Sequence, residues 1–236
     1  MTFTQAEFDI RLEWGEHGVN LLAPISDVII IVDVLSFSTS VEIATSRKAV
    51  VYPYRWKDES AQEFARSIGA ELAPKHRNVG FSLSPKSLLN IPMGTKLVLP
   101  SPNGATLTLA TGETPTLAGC LRNARAVAEA AKKYGNRIAL VPAGERWPDG
   151  SLRPSFEDLI GAGVIIRYLD GNCSPEAYAA KSAFLSAEQE LTNLLLQCGS
   201  GKELIERGFK EDVFLSAELN VSECVPVLQA GAYSSQ

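Results

Sequence analysis

Residues 28–40 read Val28-Ile29-Ile30-Ile31-Val32-Asp33-Val34-Leu35-Ser36-Phe37-Ser38-Thr39-Ser40. The first five are β-branched and continuous rather than alternating, the pattern of a strand buried on both faces of a sheet. An aspartate closes the strand, and the hydroxyls after it can cap a helix running through 41–46. Strand, polar turn, helix is the unit of an α/β protein, and the rest of the chain repeats it. Strands are predicted over 49–52, 96–99, 116–118 and 137–141. Helices are predicted over 59–68, 105–110 and 155–166, and from Leu121-Arg122-Asn123 to Tyr134. Residues 74–92 and 146–154 read as loops, rich in turn-forming residues. Residues 175–198 and 202–207 read as further helices and 223–228 as a last strand. The expected architecture is α/β, with a mixed, largely parallel sheet covered by helices on both faces. No linker divides the chain, so residues 1–236 are taken as one unit; two lobes around a cleft also suit the pattern.

Composition narrows the function. The chain has 236 residues, 22 basic against 27 acidic, a net charge of -5 and 45% hydrophobic side chains. That balance excludes a disordered or collagen-like chain, and the net negative charge disfavours a nucleic-acid partner. The longest apolar run is far shorter than the ~20 residues that span a bilayer, so no membrane partner is expected. Cys120, Cys173, Cys198 and Cys224 are widely spaced and form no C-x-x-C, which predicts a reduced, cytoplasmic protein. With His17 and His76 the only histidines, oxygen-ligated Mg²⁺ is a more natural metal than zinc.

In open α/β sheets ligands bind beyond the carboxyl ends of the strands, so four strand-to-helix turns are the candidate site. Asp33 can bind Mg²⁺, attack a phosphoryl group or fix a water, or it can merely cap a helix. The turn Ser101-Pro102-Asn103-Gly104 offers backbone N–H groups to an anion, although an ordinary Pro-Asn-Gly turn reads the same way. Arg122-Asn123 pairs a guanidinium suited to an oxyanion with an N-cap residue. The fourth turn holds Glu145 and Asp149 and then Ser155-Phe156-Glu157-Asp158, where Ser155 and Asp158 match a capping box. Gly161 and Gly163, costly inside a helix, point to close packing there. Other chemistries fail on spacing. There is no C-x5-R loop, no G-x-G-x-x-G and no second aspartate after Asp33-Val34. Gly199-Ser200-Gly201-Lys202-Glu203 lacks the first glycine and the hydroxyl residue of a P-loop.

Taken in order, Val32-Asp33-Val34-Leu35, Ser101-Pro102-Asn103-Gly104-Ala105, Cys120-Leu121-Arg122-Asn123-Ala124, and Pro142-Ala143-Gly144 before Ser155-Phe156-Glu157-Asp158-Leu159 resemble the 2-phosphosulfolactate phosphatase family. The resemblance runs over about residues 25–230. It implies an Mg²⁺-dependent phosphatase that converts 2-phosphosulfolactate, or a related small 2-hydroxy-acid phosphate, to the free acid and phosphate. On that reading Asp33, Glu157 and Asp158 are catalytic and metal-binding. Ser36, Ser38, Asn103, Gly104, Arg122, Asn123 and Glu145 hold the substrate. Better-known members of the family carry an arginine where Ser36 stands; Arg122, Arg146 and Arg153 are the candidates to supply that cation. The competing function is a non-catalytic binding protein for a small phosphorylated or sulfonated acid. A small anionic substrate is the expected partner, and a homodimer is compatible with the sequence.

Overall fold

A computed structural model describes residues 2–235 of the chain. Its central feature is a nine-stranded sheet. The strand predicted at 28–32 is present with those bounds, as β2 of the series β1 (Ile10–Leu12), β2 (Val28–Val32), β3 (Val50–Tyr54) and β4 (Glu71–Leu72). The series continues with β5 (Lys96–Pro100), β6 (Thr116–Gly119), β7 (Ile138–Pro142), β8 (Glu145–Arg146), β9 (Leu152–Arg153), β10 (Pro226–Gln229) and β11 (Ala232–Ser235). The order across the large sheet is β1-β7-β2-β6-β10-β11-β3-β5-β4, and β8 with β9 forms a separate two-stranded ribbon.

All five residues of β2 are fully buried. Because side chains alternate across a strand, Ile30 and Val32 enter one core while Ile29 and Ile31 enter another on the opposite face. A continuous apolar strand therefore needs cover on both sides. It comes from α1 (Gly15–Leu22), α2 (Phe37–Ser46), α3 (Glu59–Ser67), α4 (Gly104–Ala110) and α5 (Ala124–Ala131), then α6 (Phe156–Arg167) and α7 (Pro175–Ala187). Three short helices, α8 (Leu191–Gln197), α9 (Gly199–Glu206) and α10 (Lys210–Ser216), complete the fold.

The expected α/β fold and mixed sheet are present. Strands β1, β7, β2 and β6 are mutually parallel, as are β3, β5 and β4. Between these blocks lies the β10–β11 hairpin, antiparallel to β6 on one side and to β3 on the other. Its turn places Ala230 and Gly231 at φ of 48° and 80°, the pair of positive values that a two-residue hairpin turn matching strand twist requires. Sequence reading found only one of these two strands. It also missed β1, α1 and α10, and read the β8–β9 ribbon as loop.

Helix α2 begins at Phe37 rather than Val41, and no hydroxyl caps it. Those hydroxyls instead allow a helix buried from Phe37 to Thr45 to carry polar residues. Thr39 Oγ1 donates to the Val34 carbonyl at 2.8 Å, Ser40 Oγ to that of Leu83 at 3.3 Å and Thr45 Oγ1 to that of Val41 at 2.8 Å. Each buried hydroxyl thus has a partner, without which it would cost about 1–3 kcal/mol. The close packing expected at Gly163 is real, because a Cβ there would stand 2.1 Å from the Ala180 carbonyl oxygen of α7. Among the described residues no helix is long and apolar enough to cross a membrane.

Candidate active site

The turn after β2 and the turn after β5 meet, although five strand spacings separate these strands in the sheet order. The Gly104 amide donates to Asp33 Oδ2 at 2.8 Å. The Phe37 amide donates to Asp33 Oδ1 at 3.0 Å. The Asp33 amide in turn donates to Ser38 Oγ at 2.7 Å. Asp33 is thus both a helix-start acceptor and a carboxylate held in one orientation at the wall of a cavity. Glycine is required at 104, since a Cβ there would lie 2.4 Å from Phe37 Cδ1 and 2.8 Å from Asp33 Oδ2.

The cavity holds about 200 Å³, and its lining includes Asp33, Ser101, Asn103 and Glu145. Asn103 Nδ2 donates to Glu145 Oε2 at 2.9 Å. Ser36, Lys57 and Arg77 also line it, with Ser200, Glu203 and Arg207 from the α9 region. Arg77 Nη1 donates to Ser36 Oγ at 3.0 Å and to the Leu83 carbonyl at 2.8 Å. The lining therefore brings the carboxylates Asp33, Glu145 and Glu203 together with the cations Lys57, Arg77 and Arg207, and Arg77 is within electrostatic reach of Asp33 and Glu145.

Burial raises the pKa of Asp33 against the opposing pull of its two backbone donors, and the neighbouring Glu157 adds to the rise. Burial and the charges of Asp33 and Glu157 push Glu145 up to about 7. Asp158 is raised well above the usual carboxylate range, chiefly by burial and then by Asp33 and Glu157. These carboxylates lie close enough to disfavour one another's charge.

Of the residues expected in the site, the cavity gathers Asp33, Ser36, Asn103 and Glu145. Gly104 and Ser38 are spent on holding Asp33, one on each side of it. Glu157 is buried beside the Cys198 thiol and within electrostatic reach of Asp33 and Glu145, but does not line the cavity. Asp158 is a clamp between loops: Oδ1 accepts from the Val34 amide at 2.7 Å and Oδ2 from the Gly144 amide at 2.9 Å. Ser155 Oγ donates to the same Oδ2 at 2.8 Å and caps no backbone amide, so the predicted capping box is replaced by a side-chain pair.

Arg122 and Asn123 are drawn away from the cavity. Arg122 Nε donates to Glu42 Oε2 at 2.6 Å, and Nη1 bonds the Leu215 carbonyl and the Glu218 carboxylate. Asn123 is wholly buried and bonds the Cys120 amide and the Ala118 and Cys224 carbonyls. Arg146 lines a neighbouring cavity, and Arg153 lies over Trp147. The guanidinium bonded to Ser36 is that of Arg77, from the stretch read only as loop. Lys57, Arg77 and Arg207 were not anticipated, since isolated basic residues in loops and helix ends carry no local signal.

No three His, Cys, Asp or Glu side chains among the described residues converge to hold a metal. Mg²⁺, however, is commonly bound by one or two carboxylates, with waters and substrate phosphate completing its shell. Asp33 meets that description: it is a cavity-lining oxygen donor, and each of its oxygens accepts only one backbone hydrogen bond. Asp158, with all its contacts made, does not.

A model of the 2-phosphosulpholactate phosphatase family matches residues 19–231, which include every cavity residue named above. The chain belongs to the 2-phosphosulfolactate phosphatase family. It is 31% identical over 213 residues to the 2-phosphosulfolactate phosphatase of Methanothermobacter thermautotrophicus, covering 87% of this chain and 88% of that one. It is similar to the probable 2-phosphosulfolactate phosphatase of Carboxydothermus hydrogenoformans at 31% identity, with 84% of each chain covered. The Methanocaldococcus jannaschii 2-phosphosulfolactate phosphatase is 27% identical, over 85% of this chain and 88% of its own length. The residues quoted for the resemblance are distributed through this matched region.

Proposed function

We propose that this family member is a phosphoric monoester hydrolase acting on 2-phosphosulfolactate, with 3-sulfolactate and phosphate as products, in the cavity between Asp33 and Arg77. The observation that carries the reading is the fixed Asp33 carboxylate in one cavity with Lys57, Arg77 and Arg207, a lining that suits a small, multiply charged ligand. A nucleotide-sized or drug-sized ligand generally needs ~300 Å³ or more.

Asp33 would hold Mg²⁺, which when bound supplies positive charge to the phosphoryl oxygens during P–O cleavage. The backbone N–H groups of Phe37 and Gly104 keep that carboxylate in place, so no reorientation is needed as charge shifts. Glu145, with its pKa near neutrality, is suited to deliver a proton to the departing C2 oxygen of the hydroxy acid. Asn103 orients it through the bond to Oε2. Glu157 acts on both carboxylates from behind as a buried charge. The hydroxyls of Ser36 and Ser101 supply neutral hydrogen-bonding capacity along the cavity wall.

The test is phosphate release from a panel of phosphorylated acids, with added Mg²⁺ and with EDTA. The expected outcome is preference for 2-phosphosulfolactate and loss of turnover in EDTA. Tight binding of one panel member with no turnover of any would instead indicate a binding protein. Turnover unaffected by EDTA would remove Mg²⁺ from the account.

A further inference from the structure

Three cations, Lys57, Arg77 and Arg207, line the cavity. Arg77 is about nine-tenths buried at the side chain and enters from a loop stiffened by its own bonds. Ser82 Oγ donates to the Arg77 carbonyl at 2.8 Å, and Nη1 reaches the Leu83 carbonyl. Behind it Asp212, buried on the far side, lies 3.7 Å from Nη1. Asp212 is itself fixed by Ser84 Oγ at 2.7 Å and the Lys86 amide at 3.0 Å. All of Arg77's hydrogen bonds leave through Nη1. Its Nε and Nη2 donate to no group among the described residues, and Arg77 lines the cavity.

Lys57 also lines the cavity and forms no ion pair or hydrogen bond among the described residues. Burial lowers its pKa first, and its charged neighbours Arg77, Arg207 and Lys75 are all cations. Arg207 is paired with Glu203 at 2.9 Å, in an exposed i,i+4 contact of small energy. Two cations lining the cavity thus retain unused donors. A guanidinium with an open edge beside an unpartnered ammonium suits an oxyanion with several oxygens.

From this arrangement we infer that Arg77 and Lys57 form an oxyanion subsite, which reads the strong-acid group on the carbon next to the phosphorylated one. The assignment rests on the phosphatase reading for its placement of the phosphoryl group at Asp33. It makes Arg77 the specificity-determining residue of the cavity. A sulfonate and a carboxylate share the required chemistry, and product analogues distinguish them: 3-sulfolactate carries the sulfonate, malate has a carboxylate in its place, and lactate has neither.

Calorimetric titration of the full-length protein with these three acids and with inorganic phosphate tests the subsite. Wild type is expected to bind 3-sulfolactate roughly 10- to 100-fold more tightly than lactate, the range of a charge-assisted contact. Malate reports whether the distal group must be a sulfonate. Arg77→Gln should abolish the preference over lactate while phosphate affinity stays within about twofold. Lys57→Gln, which removes the charge of a side chain that makes no hydrogen bond or ion pair among the described residues, should reduce the preference in the same direction. An unchanged preference in both variants overturns the subsite, as does an equal loss of phosphate and 3-sulfolactate affinity. Failure of the phosphatase reading looks different: wild type would release no phosphate from 2-phosphosulfolactate while the binding preferences remained.

Discussion

At the scale of single residues, the candidate site depends on one carboxylate being held still and another being poised to titrate. Glu145 moves from an ordinary value of 4.5 to about 7 because burial and the nearby charges of Asp33 and Glu157 disfavour its ionised form. The folded protein therefore binds this proton more tightly than the unfolded chain between those two values. The resulting stability is fully present below about pH 4.5 and lost as pH rises through about 7. In metal-free buffer, wild type is expected to lose melting temperature relative to Glu145→Gln between roughly pH 5 and pH 8. Parallel melting curves for the two proteins over that range would show Glu145 to be unperturbed. Asp33 was legible from its position at the end of a buried strand. Arg77 was not, because nothing in Lys75-His76-Arg77-Asn78 indicates that the loop folds back onto Ser36.

At the scale of elements, the polar groups outside the cavity bind turns together. Asp158 joins the start of α6 to the turns after β2 and β7 by accepting the Val34 and Gly144 amides. Asp158→Ala leaves two buried N–H groups without partners and is expected to cost about 2–6 kcal/mol in chemical denaturation, at ~1–3 kcal/mol per group. A loss below ~0.5 kcal/mol would deny the clamp. Arg122 joins the turn after β6 to α2 through Glu42, whose side chain is 1% exposed, and to the end of α10 through the Leu215 carbonyl. Arg122→Ala leaves the Glu42 charge buried and unpaired, a change that costs about 3–5 kcal/mol. If the folded variant also lost affinity for inorganic phosphate, Arg122 would belong to the binding site after all. The strand-turn-helix units were readable from hydrophobic runs and turn residues. Whether a turn faces the cavity or braces its neighbour depends on contacts such as Val34 with Asp158, 124 positions apart in sequence.

For the whole molecule, function follows from the way two parallel blocks share one sheet. The β10–β11 hairpin between them reverses the second block, and the Gly104 amide ties the turn after β5 to Asp33 after β2 at the cavity wall. The sequence indicated a mixed α/β sheet through its buried strand and repeated units. It concealed the hairpin, since Pro226–Gln229 and Ala232–Ser235 are short strands with little periodicity and pair with partners more than a hundred positions away. The family model matches residues 19–231, and the proposed reaction depends on the carboxylate of Asp33 that the architecture holds in place. The decisive measurement is phosphorus NMR of 2-phosphosulfolactate incubated with Mg²⁺ and either wild type or Asp33→Asn. The variant must first be shown to be folded by circular dichroism. Wild type should convert the ester to inorganic phosphate, and Asp33→Asn should be slower by about a thousandfold or more, the scale expected on loss of a central electrostatic group. Conversion at comparable rates by both proteins, or by neither, would contradict the account.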